Sequence, residues 1–183
     1  MGLFSTFEFM RLLIFAFTFI SLNLFAQKFP KDWIGTYSGT MVIGSIERPN
    51  DSIFVAFDLH EIDKDSSWSY LMTFKSEKYG EIVKDYVIRK KAHSTTFLLD
   101  EKDGILIDMS LFDHSFYSVF ELGETMYIST LSRVSDGIYF DLFIVPRTNP
   151  RISAPESEEE GNKIEVVSYK TTMHQTALLK KHE

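Results

Sequence analysis

The feature that most constrains this chain is an alternation of apolar and more polar residues that continues, with short breaks, from Trp33 to Val145. Successive side chains of a β-strand point to opposite faces, so a period of two predicts strands with one face in a core. Five runs show the pattern clearly: Ile53 to Leu59, Trp68 to Phe74, Ile105 to Leu111, Phe116 to Leu122 and Ile138 to Ile144. The chain is therefore predicted to be all-β.

The breaks between these runs have the residues of tight turns. Asp103-Gly104 and Asp136-Gly137 both separate apolar runs, which is a strong hairpin signal because glycine adopts positive φ without a steric penalty. Closely spaced turns without an intervening helical pattern predict consecutive antiparallel strands. The predicted strands are 33–45, 52–61, 67–76, 82–91, 95–101, 104–112, 115–122, 125–133, 137–145 and, after a gap, 164–172.

A long series of hairpins has to protect its two edge strands, and closure into a barrel removes both edges. Gly35 and Gly39 in the first strand favour this solution, because glycines let a strand bend sharply at the corner of a barrel. We predict an antiparallel up-and-down β-barrel of about eight to ten strands. A two-sheet β-sandwich is the alternative.

Four segments are expected along the chain. An apolar run from Leu12 to Ala26 follows Arg11 and is shorter than the roughly 20 residues that span a membrane, so 1–26 is predicted to be a signal peptide cleaved after Ala26. The barrel domain is assigned to 27–146, an acidic flexible loop to 147–163, and a returning strand with a C-terminal tail to 164–183. The stretch from Met173 to Glu183 is compatible with a short terminal helix or a frayed tail. The leader predicts export to the periplasm or the medium.

Composition excludes several classes of function. The net charge of −7 argues against nucleic acids and anionic membrane surfaces as partners. Cysteine is absent, which rules out disulfides and thiolate chemistry. The five histidines are scattered, and Asp58 and His60 are the one pair of possible ligands on a strand face, so no metal or cofactor is predicted. Neither a nucleophile elbow nor a phosphate-binding loop is present, which makes an enzyme the minority interpretation.

The segment from Trp33 to Gly39 (WIGTYSG) resembles the opening strand of lipocalin-like (calycin-type) barrels, in which glycines and aromatic residues alternate. Tyr37 stands where lipocalins have tryptophan, and their later motif is not found. The pattern from Leu99 to Ile105 is similar to one in uncharacterised secreted bacterial proteins. The resemblance implies a barrel whose interior encloses a small, mostly apolar molecule, and it implies no catalytic residues.

Inward-facing aromatic residues are the candidate ligand contacts. They bury a large area, and the tyrosines among them add a hydroxyl group, although the same residues would suit a filled core equally well. Glu101 continues the phase of Phe97 and Leu99, so it would face the mouth of a cavity and pair with a basic group there. Lys84 or Lys90 would lie near a rim. The predicted ligand-binding residues are Trp33, Tyr37, Trp68, Tyr70, Tyr86, Phe97 and Glu101.

The predicted function is the binding of a small apolar or amphipathic ligand inside the barrel. One alternative is a non-enzymatic envelope module that contacts a protein partner through outward apolar residues: Phe54, Phe112, Tyr139 and Phe143. The other is a barrel isomerase or hydrolase acting on a lipid-like substrate, which needs several convergent titratable groups in its pocket.

Overall fold

The computed structural model describes residues 29–91, 96–154 and 164–183. These residues form strands and turns without any helix. The strands are β1 (Gly35–Ser45), β2 (Asp51–Leu59), β3 (Glu61–Asp63), β4 (Ser67–Ser76), β5 (Gly80–Lys90), β6 (Thr96–Asp100), β7 (Leu106–Phe112), β8 (Ser115–Leu122), β9 (Thr125–Val134), β10 (Gly137–Pro146), β11 (Arg151–Ser153), β12 (Val166–Ser168) and β13 (Met173–Lys181).

Ten of these strands form a closed ring of antiparallel neighbours. The order is β2, β1, β13, β10, β9, β8, β7, β6, β5 and β4, and the pairing of β2 with β4 joins the two ends. β3 lies outside the ring, on the part of β4 that β2 leaves free. β11 and β12 pair with each other as a separate two-stranded ribbon. The predicted antiparallel barrel is confirmed, and the two-sheet sandwich is not the fold.

Nine of the ten predicted strands match observed strands to within two residues at each end. The alternation located them because each has one apolar phase inside the barrel. In β2, for example, Val55, Phe57 and Leu59 are fully buried, whereas Phe54, directly before Val55, is 46% exposed. Gly104 adopts a φ of +102° in the turn between β6 and β7, as the Asp-Gly signal predicts.

The predicted position of the last strand needs correction. The stretch 164–172 contains only the short, exposed β12, and the strand that returns to the ring is β13, between β1 and β10. The region from Met173 onward is therefore neither a helix nor a frayed tail. Ala177 and Leu179 point inward and are buried, so the burial of this alternate set accounts for the strand.

A turn at 29–33 in front of β1 closes one end of the barrel. The Phe29 ring contacts the rings of Trp33, Trp68, Phe97 and Phe116, with centroids 4.7–5.7 Å apart in edge-to-face geometry. Arg133 fixes this turn from β9, since its Nε donates a 2.8 Å hydrogen bond to the carbonyl oxygen of Asp32. We call Phe29, Trp33, Trp68, Phe97 and Phe116 the aromatic plug.

Two glycines allow close packing beside β13. A Cβ atom on Gly39 of β1 would collide with the carbonyl oxygen of Leu178, and one on Gly137 of β10 would collide with that of Leu179. β13 is therefore approached closely from both sides, at Leu178 and Leu179. The glycine at position 39 therefore serves close contact between β1 and β13.

The predicted leader, 1–26, lies outside the described residues. Of the predicted acidic loop, 147–154 is described and contains β11, while its glutamate run lies outside the described part. The ring extends beyond the predicted barrel boundary at residue 146, because β13 completes it. No helix among the described residues is long and apolar enough to cross a membrane.

Candidate ligand-binding cavity

A cavity of about 480 Å³ occupies the half of the barrel that the aromatic plug leaves free. Phe116, which belongs to the plug, and Leu131 are both buried and form its floor. Its upper wall reaches Ile105 and Leu122, which are 46% and 66% exposed at the turns of the opposite end. The cavity thus extends from the middle of the barrel to a rim in contact with solvent.

Most of the cavity wall is apolar, as strand alternation dictates. Met72 of β4, Leu99 of β6, Ile107 and Met109 of β7 and Leu142 of β10 all point into it. These residues belong to the same inward phase as the buried aromatics at the other end. The open end therefore offers a surface that would favour an apolar guest.

Polar side chains meet at one side of the mouth. Tyr86 and Lys84 follow each other on the inward face of β5, and Glu101 comes directly after β6. The Lys84 ammonium lies 5.7 Å from the centre of the Tyr86 ring. The pKa of Lys84 is raised, first by a hydrogen bond with Tyr86 and further by the charges of Glu101 and Asp103. We call Lys84, Tyr86 and Glu101 the mouth cluster.

Tyr70 connects the mouth cluster to the core. Its ring stacks on that of Tyr86 at a centroid distance of 6.1 Å, because the two residues are directly paired across β4 and β5. Burial raises the pKa of Tyr70 far above its usual value, and neighbouring Tyr86 adds to the effect. Burial is also the first cause that raises the pKa of Tyr86. Both phenols are neutral hydrogen-bonding groups at neutral pH.

The predicted ligand-binding residues divide between the two ends. Tyr70, Tyr86 and Glu101 line the cavity, and the charge of Glu101 acts on Lys84, the basic partner expected at the mouth. Trp33, Trp68 and Phe97 belong to the aromatic plug, away from the cavity wall. Tyr37 lies in the core, and its hydroxyl donates a 2.6 Å hydrogen bond to the carbonyl oxygen of Trp33. The pocket and the filled core, left open by the sequence, thus occupy opposite ends of one barrel.

Several polar residues of the cavity wall were not selected from the sequence, among them Glu121 and Tyr127 near the rim. Ser118 of β8, Ser129 of β9 and Gln175 of β13 all line the cavity. Ser118 was detectable as a polar residue between Phe116 and Phe120 in an otherwise apolar phase. Gln175 stands in the strand whose position was misjudged, so its inward direction was not accessible from the sequence.

Metal ligands do not cluster in the described part of the chain, where no group of three His, Cys, Asp or Glu side chains converges. His60 and Asp58, the candidate pair, approach to 3.8 Å on an exposed face. Asp58 also accepts a 2.6 Å hydrogen bond from Thr36. The titratable residues of the cavity wall are Tyr70, Lys84, Tyr86, Glu101, Glu121 and Tyr127.

The outward apolar residues are distributed around the barrel. Phe54, Phe112, Tyr139 and Phe143 are all exposed, by 36–65%. Tyr139 and Phe143 share β10, but two strands of the ring separate β10 from β2, with Phe54, and another two separate it from β7, with Phe112. The four side chains therefore do not form one continuous patch.

Known structures share this architecture. One is a DUF3598-family protein of unknown function from Nostoc punctiforme, with a TM-score of 0.56, 11% identity, and 83% of this chain and 48% of that chain covered. The other is the S-type phycobiliprotein lyase CPES from Guillardia theta, with a TM-score of 0.53, 11% identity, and 82% and 89% covered. This chain spans about half the length of the DUF3598 protein.

Both of these proteins are calycin-like ten-stranded barrels, so the calycin-type fold expected from the opening strand is supported. At 11% identity the likeness concerns the fold alone. No family model matches the sequence, and no curated protein matches it.

Proposed function

We propose that this protein binds a small amphipathic molecule, with the apolar part of the ligand in the barrel cavity and its polar end at the mouth cluster. The observation that carries the proposal is the cavity itself. Its volume of about 480 Å³ lies within the range of roughly 300–1,000 Å³ typical of small-molecule sites.

The division of the barrel interior supports this function. The aromatic plug stabilises one end through packed rings, so the cavity at the other end is not required to be filled for the barrel to hold together. A largely apolar wall contributes affinity through burial of hydrocarbon, and the few polar groups fix the orientation of a ligand. A related fold serves in a phycobiliprotein lyase, which is consistent with a barrel adapted to small molecules.

The mouth cluster suits a ligand whose end group exchanges hydrogen bonds. Lys84 and Tyr86 offer donors, and Glu101 offers acceptors, within the same side of the rim. An acid or a polar head group would be stabilised there while its chain occupies the cavity. Tyr70, deeper on the same side, would contact the part of the ligand next to that head group.

Native mass spectrometry of gently purified protein tests the proposal. We expect a mass excess from a retained molecule that disappears on denaturation. Leu142→Trp should abolish it, because the larger ring would fill the cavity that Leu142 lines. Phe143→Trp is the matched control, since the neighbouring side chain points outward and is 36% exposed. Equal retention by both variants, or no retained molecule together with no saturable uptake of stearate by the wild type, would refute the function.

We also propose that the protein is exported and processed after Ala26, on the strength of the apolar run from Leu12. Intact-mass analysis of the protein from an envelope fraction should give a chain that begins at Gln27. A mature chain that retains Met1 would exclude this cleavage.

A further inference from the structure

Ser118 stands out among the buried polar residues. Ser67 and Ser118 are the polar residues with less than a tenth of their surface exposed in the described part of the chain, at 3% and 8%. The Ser67 hydroxyl donates a 2.8 Å hydrogen bond to the Asp63 carboxylate. The Ser118 hydroxyl, by contrast, has no hydrogen-bond partner among the described residues and borders the cavity.

Ser118 has a second serine beside it. Ser118 and Ser129 are directly paired across β8 and β9, and both line the cavity. In the same row around the ring, Ser129 pairs with Leu142, which pairs with Gln175, another residue of the cavity wall. Directly paired side chains of antiparallel strands are about 4.5–5.5 Å apart at Cβ, which places both hydroxyls within reach of one ligand group.

The same two strands contain a serine pair with different chemistry. Ser115 and Ser132 are also directly paired, and their hydroxyl oxygens are 2.7 Å apart in a mutual hydrogen bond. Nothing in the described residues satisfies Ser118 or Ser129 in this way. Both hydroxyls border the open cavity, so a polar group of a bound ligand can exchange hydrogen bonds with them.

This serine pair is well separated from the mouth cluster. Ser118 and Ser129 lie on β8 and β9, whereas Lys84 and Tyr86 lie on β5, with β6 and β7 between β5 and β8. One ligand that contacts both places therefore needs two polar groups divided by an apolar part. The residues of the serine subsite carry no charge and can both donate and accept hydrogen bonds, which suits a neutral hydroxyl or carbonyl oxygen.

We infer that Ser118 and Ser129 form a subsite for a hydroxyl or carbonyl oxygen within the apolar portion of the ligand. The ligand class is then an oxygenated amphipathic molecule, such as a hydroxy or keto acid, rather than a plain hydrocarbon chain. This inference rests on the proposed function, because it assigns a feature of the molecule that the cavity binds.

Calorimetric titration with matched probes tests the subsite. The probes are stearate and its 6-, 9- and 12-hydroxy derivatives, which place the same hydroxyl at different depths. We expect at least one hydroxystearate to bind wild-type protein roughly three- to tenfold more tightly than stearate, the effect of about one neutral hydrogen bond. Ser118→Ala should remove this preference, so that the ratio of hydroxystearate affinity to stearate affinity falls to about one.

Ser132→Ala is the control, because it removes a hydroxyl from the same strand pair outside the cavity and should keep the full preference. Stearate binding with no hydroxystearate preferred, or a preference that survives Ser118→Ala, would overturn the subsite while leaving the proposed function intact. Absence of saturable binding for every probe would overturn both.

Discussion

The two ends of this barrel use one sequence pattern for opposite purposes. At the plugged end the inward positions hold large rings, and Trp33, Trp68 and Phe116 are at most 1% exposed. At the open end the same inward phase continues, but its residues surround about 480 Å³ of free space. Alternation therefore decides which side chains face inward, and it leaves open whether they meet each other.

The two ends are packed differently because of the segment in front of the first strand. Phe29 inserts between four rings that come from the turn at Trp33 and from β4, β6 and β8. No comparable residue enters the other end in the described chain, where the mouth cluster faces the space instead. A barrel of ten strands is wide enough that its own inward side chains fill it only where extra rings are supplied.

The largest expected effect compares the same truncation at both ends. Phe97→Ala should lower the free energy of unfolding by about 3–5 kcal/mol, because it leaves a cavity beside Phe29, Trp68 and Phe116. Phe120→Ala should cost about 1 kcal/mol, since Phe120 stacks on Tyr127 beside space that already exists. Urea unfolding of both variants measures the difference, and equal losses would remove the distinction between a packed and a hollow end.

A smaller effect is expected at alkaline pH, from the tyrosines next to the cavity. The pKa of Tyr70 is raised in the folded protein by burial, whereas the unfolded value is about 10. This contribution to stability is therefore complete below about pH 10 and is lost as the pH rises further. Above about pH 10, the free energy of unfolding measured in urea should fall less steeply with pH for Tyr70→Phe than for the wild type. The exposed-site control Tyr117→Phe should keep the wild-type slope. The same slope for Tyr70→Phe would contradict a pH-dependent contribution from Tyr70.

The smallest effect concerns the surface, where the two ends should behave alike. The pKa of Asp100 is lowered first by a hydrogen bond from Arg89, and that of Asp136 first by one from Ser135. A lowered folded-state pKa adds stability above the unfolded value of about 3.9, and this is lost as the pH falls through the folded value. Asp100→Asn and Asp136→Asn should each slightly flatten the acid limb of the stability profile. If only one of these substitutions had a large effect, surface charge as well as interior packing would distinguish the two ends.

Much of the fold was predictable because burial follows the alternation. β13 escaped prediction for a physical reason: its inward phase contains Gln175, which faces the cavity, and the small Ala177. A strand beside empty space has less need of large apolar residues, so its pattern is weak. Val166 and Val167 drew the prediction to the preceding stretch, although both are exposed.

The candidate site was predictable only in part. The sequence indicated that Trp68, Tyr70 and Tyr86 face inward, but the level of each along the barrel axis depends on strand register and on Phe29. That level assigns Trp68 to the plug and the two tyrosines to the cavity wall. The period of two carries no information about depth, so plug and pocket residues look the same in the sequence.

The central claim is that the open end takes up a small amphipathic molecule while the rest of the barrel is closed to it. Methyl NMR of protein labelled with [¹³C-methyl]methionine, titrated with stearate, tests this directly. Met72 and Met109 line the cavity. Met126 precedes the cavity-lining Tyr127 in β9 and therefore points to the outer face of the barrel. The account predicts saturable shifts of the Met72 and Met109 signals with the Met126 signal unchanged. No shift at Met72 and Met109, or a shift at Met126 alone, would contradict it.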